Sequence, residues 1–305
     1  MDLGGDLAGG LVPMPGGFSG ETFLAEVAGE RTVVRIYAGR GATRGAPAEV
    51  DAAVLGLVRG LVPVPEVLEV RRADPATGAP ALLVTEMLPG IRLDQVLSTA
   101  DDELLSRLGQ RLGGILSRLA QMPMPRPGVF VDGALRIDPW PAGAEDLTVG
   151  VRSALDGPVL GEWAAADRAA LLDLADLAQG VADRVHRWCL VHGDFNPKNL
   201  LLAPGGATVT GVLDWEFAHA GSPFADLGNL LRFDRDPAFA EAVCGAYADL
   251  VVDAPEDLLD QARAADVWAL VELATRAGQN PVADRARDRL LAMARAGDLH
   301  AVEGG

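Results

Sequence analysis

The segment Val191-His192-Gly193-Asp194-Phe195-Asn196-Pro197-Lys198-Asn199-Leu200 carries the residue types that chemistry on a hydroxyl group needs. Asp194 and Asn199 stand at the two ends of a short loop. Asp214 follows fifteen residues after Asn199, in Val212-Leu213-Asp214-Trp215-Glu216. A carboxylate in such a loop can take a proton from a hydroxyl. An amide oxygen and a second carboxylate suit Mg2+, which keeps several of its waters and shares phosphate oxygens with a substrate. Asp214 ends a hydrophobic strand at a polar position. A strand–loop–strand arrangement therefore brings the three oxygen-bearing side chains together.

The elements that must hold this loop follow from the pattern of the 305 residues. The first ninety read as β-rich: runs at 22–27 and 31–37 form a hairpin around Gly29-Glu30, and 66–71 and 81–87 supply two more strands. A helix over 49–59 presents Val50, Ala53, Val54, Leu57 and Val58 on one face. Pro89-Gly90 breaks the chain, and helical periodicity takes over. Leucines at 104, 105, 108, 112, 116 and 119 mark an amphipathic helix over 101–120. Residues 121–160, rich in Pro and Gly, read as a loop-rich insertion. A helix is predicted over 167–188, short strands at 190–191, 200–202 and 208–213, and helices from 223 to 296. The expectation is an α+β fold of two lobes, residues 1–88 and 89–305.

Composition limits the partners. A net charge of −17 and a pI near 4.6 disfavour nucleic acid and anionic membranes and attract small cations. No protein partner is implied. The longest apolar stretches, 79–84 and 267–271, fall well short of the ~18 residues a spanning helix needs. Met1-Asp2-Leu3-Gly4-Gly5 has no basic leader, so no secretory signal is expected. Cys189 and Cys244 are too few for a disulfide framework or a cysteine metal site, and they fit a reducing cytoplasm.

His-Gly-Asp-x-x-x-x-Asn at 192–199, Asp-Trp-Glu at 214–216 and Gly-Ser-Pro-x-x-Asp-Leu-Gly at 221–228 together resemble the aminoglycoside phosphotransferase family, which has a protein-kinase-like fold. The resemblance runs from about Pro13 into the late helices and is strongest in the catalytic segment. It implies ATP and Mg2+ as cofactors. Asp194 is then the base for the acceptor hydroxyl, and Asn199 and Asp214 hold the metal. His192 packs beneath the loop, and Asp226 braces it. The N-terminal lobe would bind the nucleotide: Gly16, Gly17, Ser19 and Gly20 around the phosphates, Arg35 where such folds usually carry a lysine, and Glu49 as the ion-pair partner of Arg35. Glu86 and Leu88 would read the adenine edge with their backbone. Lys198, the only lysine in the chain, would either touch the γ-phosphate or lie on the surface.

Residues 241–275 hold eight acids against one base, Arg263, a balance of −7. Trp268 and Glu272, four apart, share a helix face. Asp266, Trp268 and Glu272 are the candidates for a cationic acceptor, either an aminoglycoside or a basic cyclic peptide of the viomycin–capreomycin type, with antibiotic resistance as the result. A choline-, sugar- or homoserine-type acceptor is the alternative, and a catalytically silent kinase-like binding protein is the remaining class.

Overall fold

The computed structural model describes residues 11–14, 21–27, 29–37, 46–141, 143 and 146–302. Strands β1 (Val12–Pro13), β2 (Glu21–Val27) and β3 (Glu30–Tyr37) precede helix α1 (Pro47–Val58), and β4 (Val67–Arg71) and β5 (Ala81–Glu86) follow it. The five strands form one antiparallel sheet in the order β1-β2-β3-β5-β4. Val27 pairs with Glu30, so Glu30 belongs to the strand and the hairpin closes one residue earlier than the sequence suggests. Val50, Val54, Leu55 and Val58 of α1 are buried, as the helical spacing requires, and Asp51 is buried among them.

Beyond the break, β6 (Ile91–Arg92), α2 (Leu93–Leu97) and α3 (Asp102–Ala120) lead into β7 (Pro123–Met124), β8 (Gly128–Phe130) and β9 (Ile137–Asp138). Then come α4 (Leu147–Leu155), α5 (Ala165–Ala182), β10 (Trp188–Val191), β11 (Leu200–Leu202), β12 (Val209–Val212) and β13 (His219–Gly221). The chain ends in α6 (Ala225–Leu230), α7 (Pro237–Leu250), α8 (Leu258–Ala274) and α9 (Pro281–Ala296). The short strands make two antiparallel sheets, β7-β10-β13-β8-β9 and β12-β11-β6. Small sheets followed by packed helices give the expected α+β architecture.

Two expectations are corrected. Residues 121–160 are not only loop: they hold three short strands and the nine-residue α4. Asp146 caps α4 by accepting from the Val149 amide at 3.0 Å, a start signal that the surrounding Pro and Gly obscure. The helix predicted over 167–188 ends at Ala182, and Trp188 opens β10 instead. Among the described residues no helix is long and apolar enough to cross a membrane.

Leu105, Leu108, Leu112, Leu116 and Leu119 of α3 are buried in a core shared with α7, β10 and β11. A second core joins α4, α5, α8 and α9 through Val151, Leu171, Val267 and Leu290. Helix α8 serves both cores, with Ala262 in the first and Val267 in the second.

Helices α3 and α7 pack closely because α3 presents glycines to α7. A Cβ at Gly113 would overlap the Val243 carbonyl oxygen, which is backbone and cannot step aside. A Cβ at Gly114 would meet only Leu250 Cδ1, at 3.8 Å. We predict that Gly113→Ala destabilises the protein by about 1–3 kcal/mol through overpacking. Gly114→Ala stabilises it by up to ~1 kcal/mol through helix propensity. Thermal denaturation of both variants checks this, and equal melting temperatures would contradict the close approach.

Candidate active site

The catalytic segment is held from three sides. β10 leads into it and β11 leads out. β11 pairs with β12 through Leu200 opposite Val212, and the Leu213 amide donates to the Asn199 carbonyl at 2.8 Å. This pairing sets Asp214 beside Asn199. Asp214 itself adopts a left-handed backbone, φ 64° and ψ 63°, which few non-glycine residues take. The backbone thus turns sharply where the carboxylate must leave the strand.

His192 ties the two halves together. Its Nδ1 accepts from the Asp194 amide at 3.1 Å, and its Nε2 donates to the Leu213 carbonyl at 2.9 Å. A neutral imidazole protonated on Nε2 satisfies both contacts. Complete burial pushes the pKa of His192 down to about 4, so the ring stays neutral. Trp215 packs against it, ring centroids 4.4 Å apart. Asp226, at the start of α6, accepts from the His192 and Gly193 amides at 2.7 and 2.9 Å. Gly193 has φ 83°, and a side chain there would overlap the Phe217 carbonyl. His192 and Asp226 are thus structural.

Asp194 is gripped by two amides. Asn196 Nδ2 donates to its Oδ1 at 2.7 Å and Asn199 Nδ2 to its Oδ2 at 2.8 Å. Burial pushes the Asp194 carboxyl above its ordinary range, and the charge of Asp214 adds to this, while the amides and Arg232 oppose it. A raised carboxylate pKa suits a base that receives a proton in the reaction.

Asn199 spends its amide nitrogen on Asp194, leaving its oxygen as a donor toward a cation. Asp214 adds a carboxylate with 31% of its side chain exposed. One carboxylate and one amide oxygen form the sparse ligand set that Mg2+ completes with water and phosphate oxygens. Among the described residues no three His, Cys, Asp or Glu side chains form an all-protein metal cage. The residues fit a phosphate-sharing Mg2+.

Arg35 reaches across from β3. Its Nη1 donates to Asp214 Oδ1 at 2.7 Å, and its Nη2 donates to Glu216 Oε2. Burial lowers its pKa and the charges of Asp214 and Glu216 raise it by more, so the guanidinium stays charged. Burial and the neighbouring Asp214 push Glu216 up to about 7, against the pull of Arg35. The expected Arg35–Glu49 pair is not formed. Glu49 is held by Arg72 at 3.1 Å. The α1 carboxylate on the β3 side is Asp51, two residues further and so more than half a turn round the helix, where Tyr37 donates to it at 2.6 Å.

The remaining candidates divide. Gly16, Gly17, Ser19 and Gly20 lie outside the described residues. Glu86 ends β5 opposite Thr32, with its amide donating to the Glu66 carbonyl at 3.0 Å. Leu88 sits just past that strand end, its side chain against Gly211. Lys198 is exposed and lies near Asp94 of α2, whose pKa its charge helps to lower, after the larger effects of Arg92. Trp268 is 41% exposed, with its ring resting on Gly150 of α4. Glu272 is exposed on the same face of α8, 3.4 Å from Arg276.

Asp266 is a correction. It is 3% exposed and accepts twice from Arg232 Nε, at 2.9 and 3.1 Å, and once from Nη2, at 2.7 Å. A carboxylate engaged in this way is not offered to an acceptor. Residues 266 and 268 share a helix but face different ways, a distinction that spacing to Trp268 alone did not draw. The sequence reading also missed Glu216, Tyr37 and Asp51. The alternation of β3, which puts Arg35 and Tyr37 on one face, was the available signal.

The three sheets, the packed helices and a carboxylate–amide–carboxylate centre beside a partly buried arginine define a kinase-like phosphotransferase. The family model of the phosphotransferase enzyme family (APH) matches residues 10–264, and the chain belongs to that family. Among solved structures, aminoglycoside phosphotransferase APH(4)-Ia in a ternary complex with ADP and hygromycin B is 18% identical, with 94% of each chain covered and a TM-score of 0.67. The GDP complex of aminoglycoside 2'-phosphotransferase-IIIa is 18% identical, covering 94% of this chain and 93% of that one, with a TM-score of 0.69. At such identity they show the shared fold. Acyl-CoA dehydrogenase family member 10 of Mus musculus is 52% identical over 44 residues, 14% of this chain and 4% of that protein. Acyl-CoA dehydrogenase family member 11 of Rattus norvegicus is 40% identical over 57 residues, 19% of this chain. The chain spans only 7% of that relative's length.

Removing the negative charge of Asp266 leaves Arg232 buried and unpaired. Asp266→Asn is expected to destabilise the fold by about 3–5 kcal/mol. Thermal or urea denaturation measures it, and wild-type stability with weakened acceptor binding would restore the recognition role.

Proposed function

We propose that this phosphotransferase moves the γ-phosphoryl group of ATP to a hydroxyl of a small ring-bearing acceptor that carries an amino group. The observation that supports the reaction most directly is the grip of Asn196 and Asn199 on the Asp194 carboxylate, with Asp214 and Arg35 alongside. Asp194 would align the acceptor hydroxyl and take its proton as the oxygen attacks the γ-phosphorus. Mg2+, held by Asn199 and Asp214, would neutralise charge on the phosphate oxygens. Arg35 would donate to phosphate oxygens from the N-terminal sheet. Glu86 and Leu88 would meet the nucleotide base through their backbone, the glycine-rich segment 16–20 would lie over the phosphates, and Lys198 would approach the γ-phosphate from the loop. Residues 1–88 would then form the nucleotide lobe and 89–305 the catalytic and acceptor lobe. Drawing on ATP, the enzyme would work in the cytoplasm.

For the acceptor, Trp268 offers an aromatic face and Glu272 an exposed carboxylate on one side of α8. An aminoglycoside fits this pair, and the complex of a related fold with hygromycin B supports that class. Phosphorylation of such an antibiotic would confer resistance. A neutral sugar or other small metabolite is the second reading. It is favoured because four of the eight acids already have partners: Asp257, Asp266 and Glu272 are in ion pairs with Arg184, Arg232 and Arg276, and Asp260 is hydrogen-bonded with His300.

Incubating the protein with ATP or GTP, Mg2+ and a panel of aminoglycosides, basic cyclic peptides and neutral metabolites tests both readings. Mass spectrometry should find one added phosphate. Asp194→Ala should slow transfer by roughly 10²–10⁴-fold while nucleotide binding survives. Asp214→Ala should lose Mg2+-dependent nucleotide binding as well. A cationic acceptor should show a KM that rises with salt, because its attraction to carboxylates is screened beyond about 8 Å at physiological ionic strength. Transfer to neutral metabolites alone would select the second reading, and no transfer to any compound with ATP bound but intact would indicate a silent binding protein.

A further inference from the structure

In a strand, residues two apart share a face, so Arg35 and Tyr37 of β3 project together. The Arg35 guanidinium carbon stands 5.6 Å from the centre of the Tyr37 ring. The Tyr37 hydroxyl donates to Asp51 Oδ2 at 2.6 Å, and Asp51 is a buried residue of α1. The carboxylate opposite the guanidinium comes from the other part of the molecule: Glu216, with only 6% of its side chain exposed, in the turn after Asp214. Glu49, the residue of α1 that charge and order favour for this task, is turned to Arg72.

We propose that Tyr37 and Asp51 are positioning residues, which relay the placement of α1 to the Arg35 guanidinium and so to the nucleotide phosphates. This rests on the phosphate-binding role assigned to Arg35. A direct α1 carboxylate would compete with phosphate for the guanidinium. An aromatic ring in between holds the arginine by its face and leaves its N–H edge for anionic oxygens. The Asp51 carboxylate in turn is occupied by the phenol, one side chain away from the guanidinium. When nucleotide and Mg2+ arrive, Asp214 can turn to the metal and Arg35 to phosphate. Tyr37 and Glu216 still fix the arm.

The test is titration calorimetry of Mg2+ with a non-hydrolysable ATP analogue on the full chain. The variants are Tyr37→Phe, Tyr37→Leu, Asp51→Asn and Arg35→Ala, and the double variant Tyr37→Phe with Arg35→Ala. Loss of the Tyr37–Asp51 hydrogen bond should weaken nucleotide binding roughly 5-fold in Tyr37→Phe. Tyr37→Leu, which also removes the ring face, should weaken it further, toward Arg35→Ala. The double variant should bind no worse than Arg35→Ala alone, because the two residues act through one guanidinium. Asp51→Asn keeps the helix, the volume and, through its amide oxygen, an acceptor for the phenol, so it should weaken binding by less than Tyr37→Phe. Wild-type binding by Tyr37→Phe and Asp51→Asn overturns the relay, as does full additivity in the double variant. Wild-type binding by Arg35→Ala overturns the phosphate role itself, a distinct result from failure of the relay.

Discussion

Carboxylates crowded into a poorly solvated space govern this structure. Asp194, Asp214, Glu216 and Asp51 act on one another through their charges, and Asp226 senses Asp194. Removing such groups from water is costly unless each gains a partner. The fold supplies a different partner for each. Two side-chain amides hold Asp194, two backbone amides hold Asp226, a phenol holds Asp51, and Arg35 holds Asp214 and Glu216 together. Burial first, with repulsion from Asp214 at Glu216 and a smaller one from Asp194 at Asp226, pushes both carboxyls up to about 7. A site with excess negative charge around an amide oxygen is prepared for a divalent cation.

The scaffold can be read as the means of holding that crowding still. Asp226 fixes the catalytic loop at the start of α6, and Arg232 closes the far end of the same helix on Asp266 of α8. Buried Arg263 and Arg289 donate to the carbonyls of Leu231 and Arg232, which satisfies the oxygens that a helix end leaves open. Between the two ends, Gly228 lies against the backbone of Ala262, too close for any side chain. A short helix clamped at both ends and pressed on α8 gives Asp226 a fixed position beneath the catalytic loop. Buried ion pairs such as Arg232–Asp266 contribute little net stability, but breaking one is severe, which suits a positioning task.

Much of this was legible in the residues. Strand-like flanks around His-Gly-Asp-x-x-x-x-Asn and Asp-Trp-Glu already implied the juxtaposition of Asp194, Asn199 and Asp214, because short antiparallel pairing leaves few alternatives. The leucine spacing of α3 and the apolar face of α1 were equally clear, since periodicity records burial directly. The partner of Arg35 was not legible. Linear order favoured Glu49 on the next helix, whereas Arg35 pairs with Asp214 and Glu216, 179 and 181 residues away, in the turn after β12. Helix α4 was missed because its cap is one aspartate in a Pro- and Gly-rich tract.

The acidic late region shows the same limit in another form. A count of −7 over residues 241–275 describes composition, but an acceptor meets a field set by position and pairing. Asp266 is paired with Arg232 inside the protein, Asp257 and Glu272 have arginine neighbours, and Asp260 lies 2.6 Å from His300 Nε2. Glu241 and Asp249 sit on α7, whose packed face is turned to α3. Helix α8 also carries an indole resting on a glycine of α4 and an exposed carboxylate a helical turn away, and the charge of buried Arg232 interacts with both Asp194 and Glu272. The acid count of this region thus says less about any ligand than the placement and pairing of each carboxylate does.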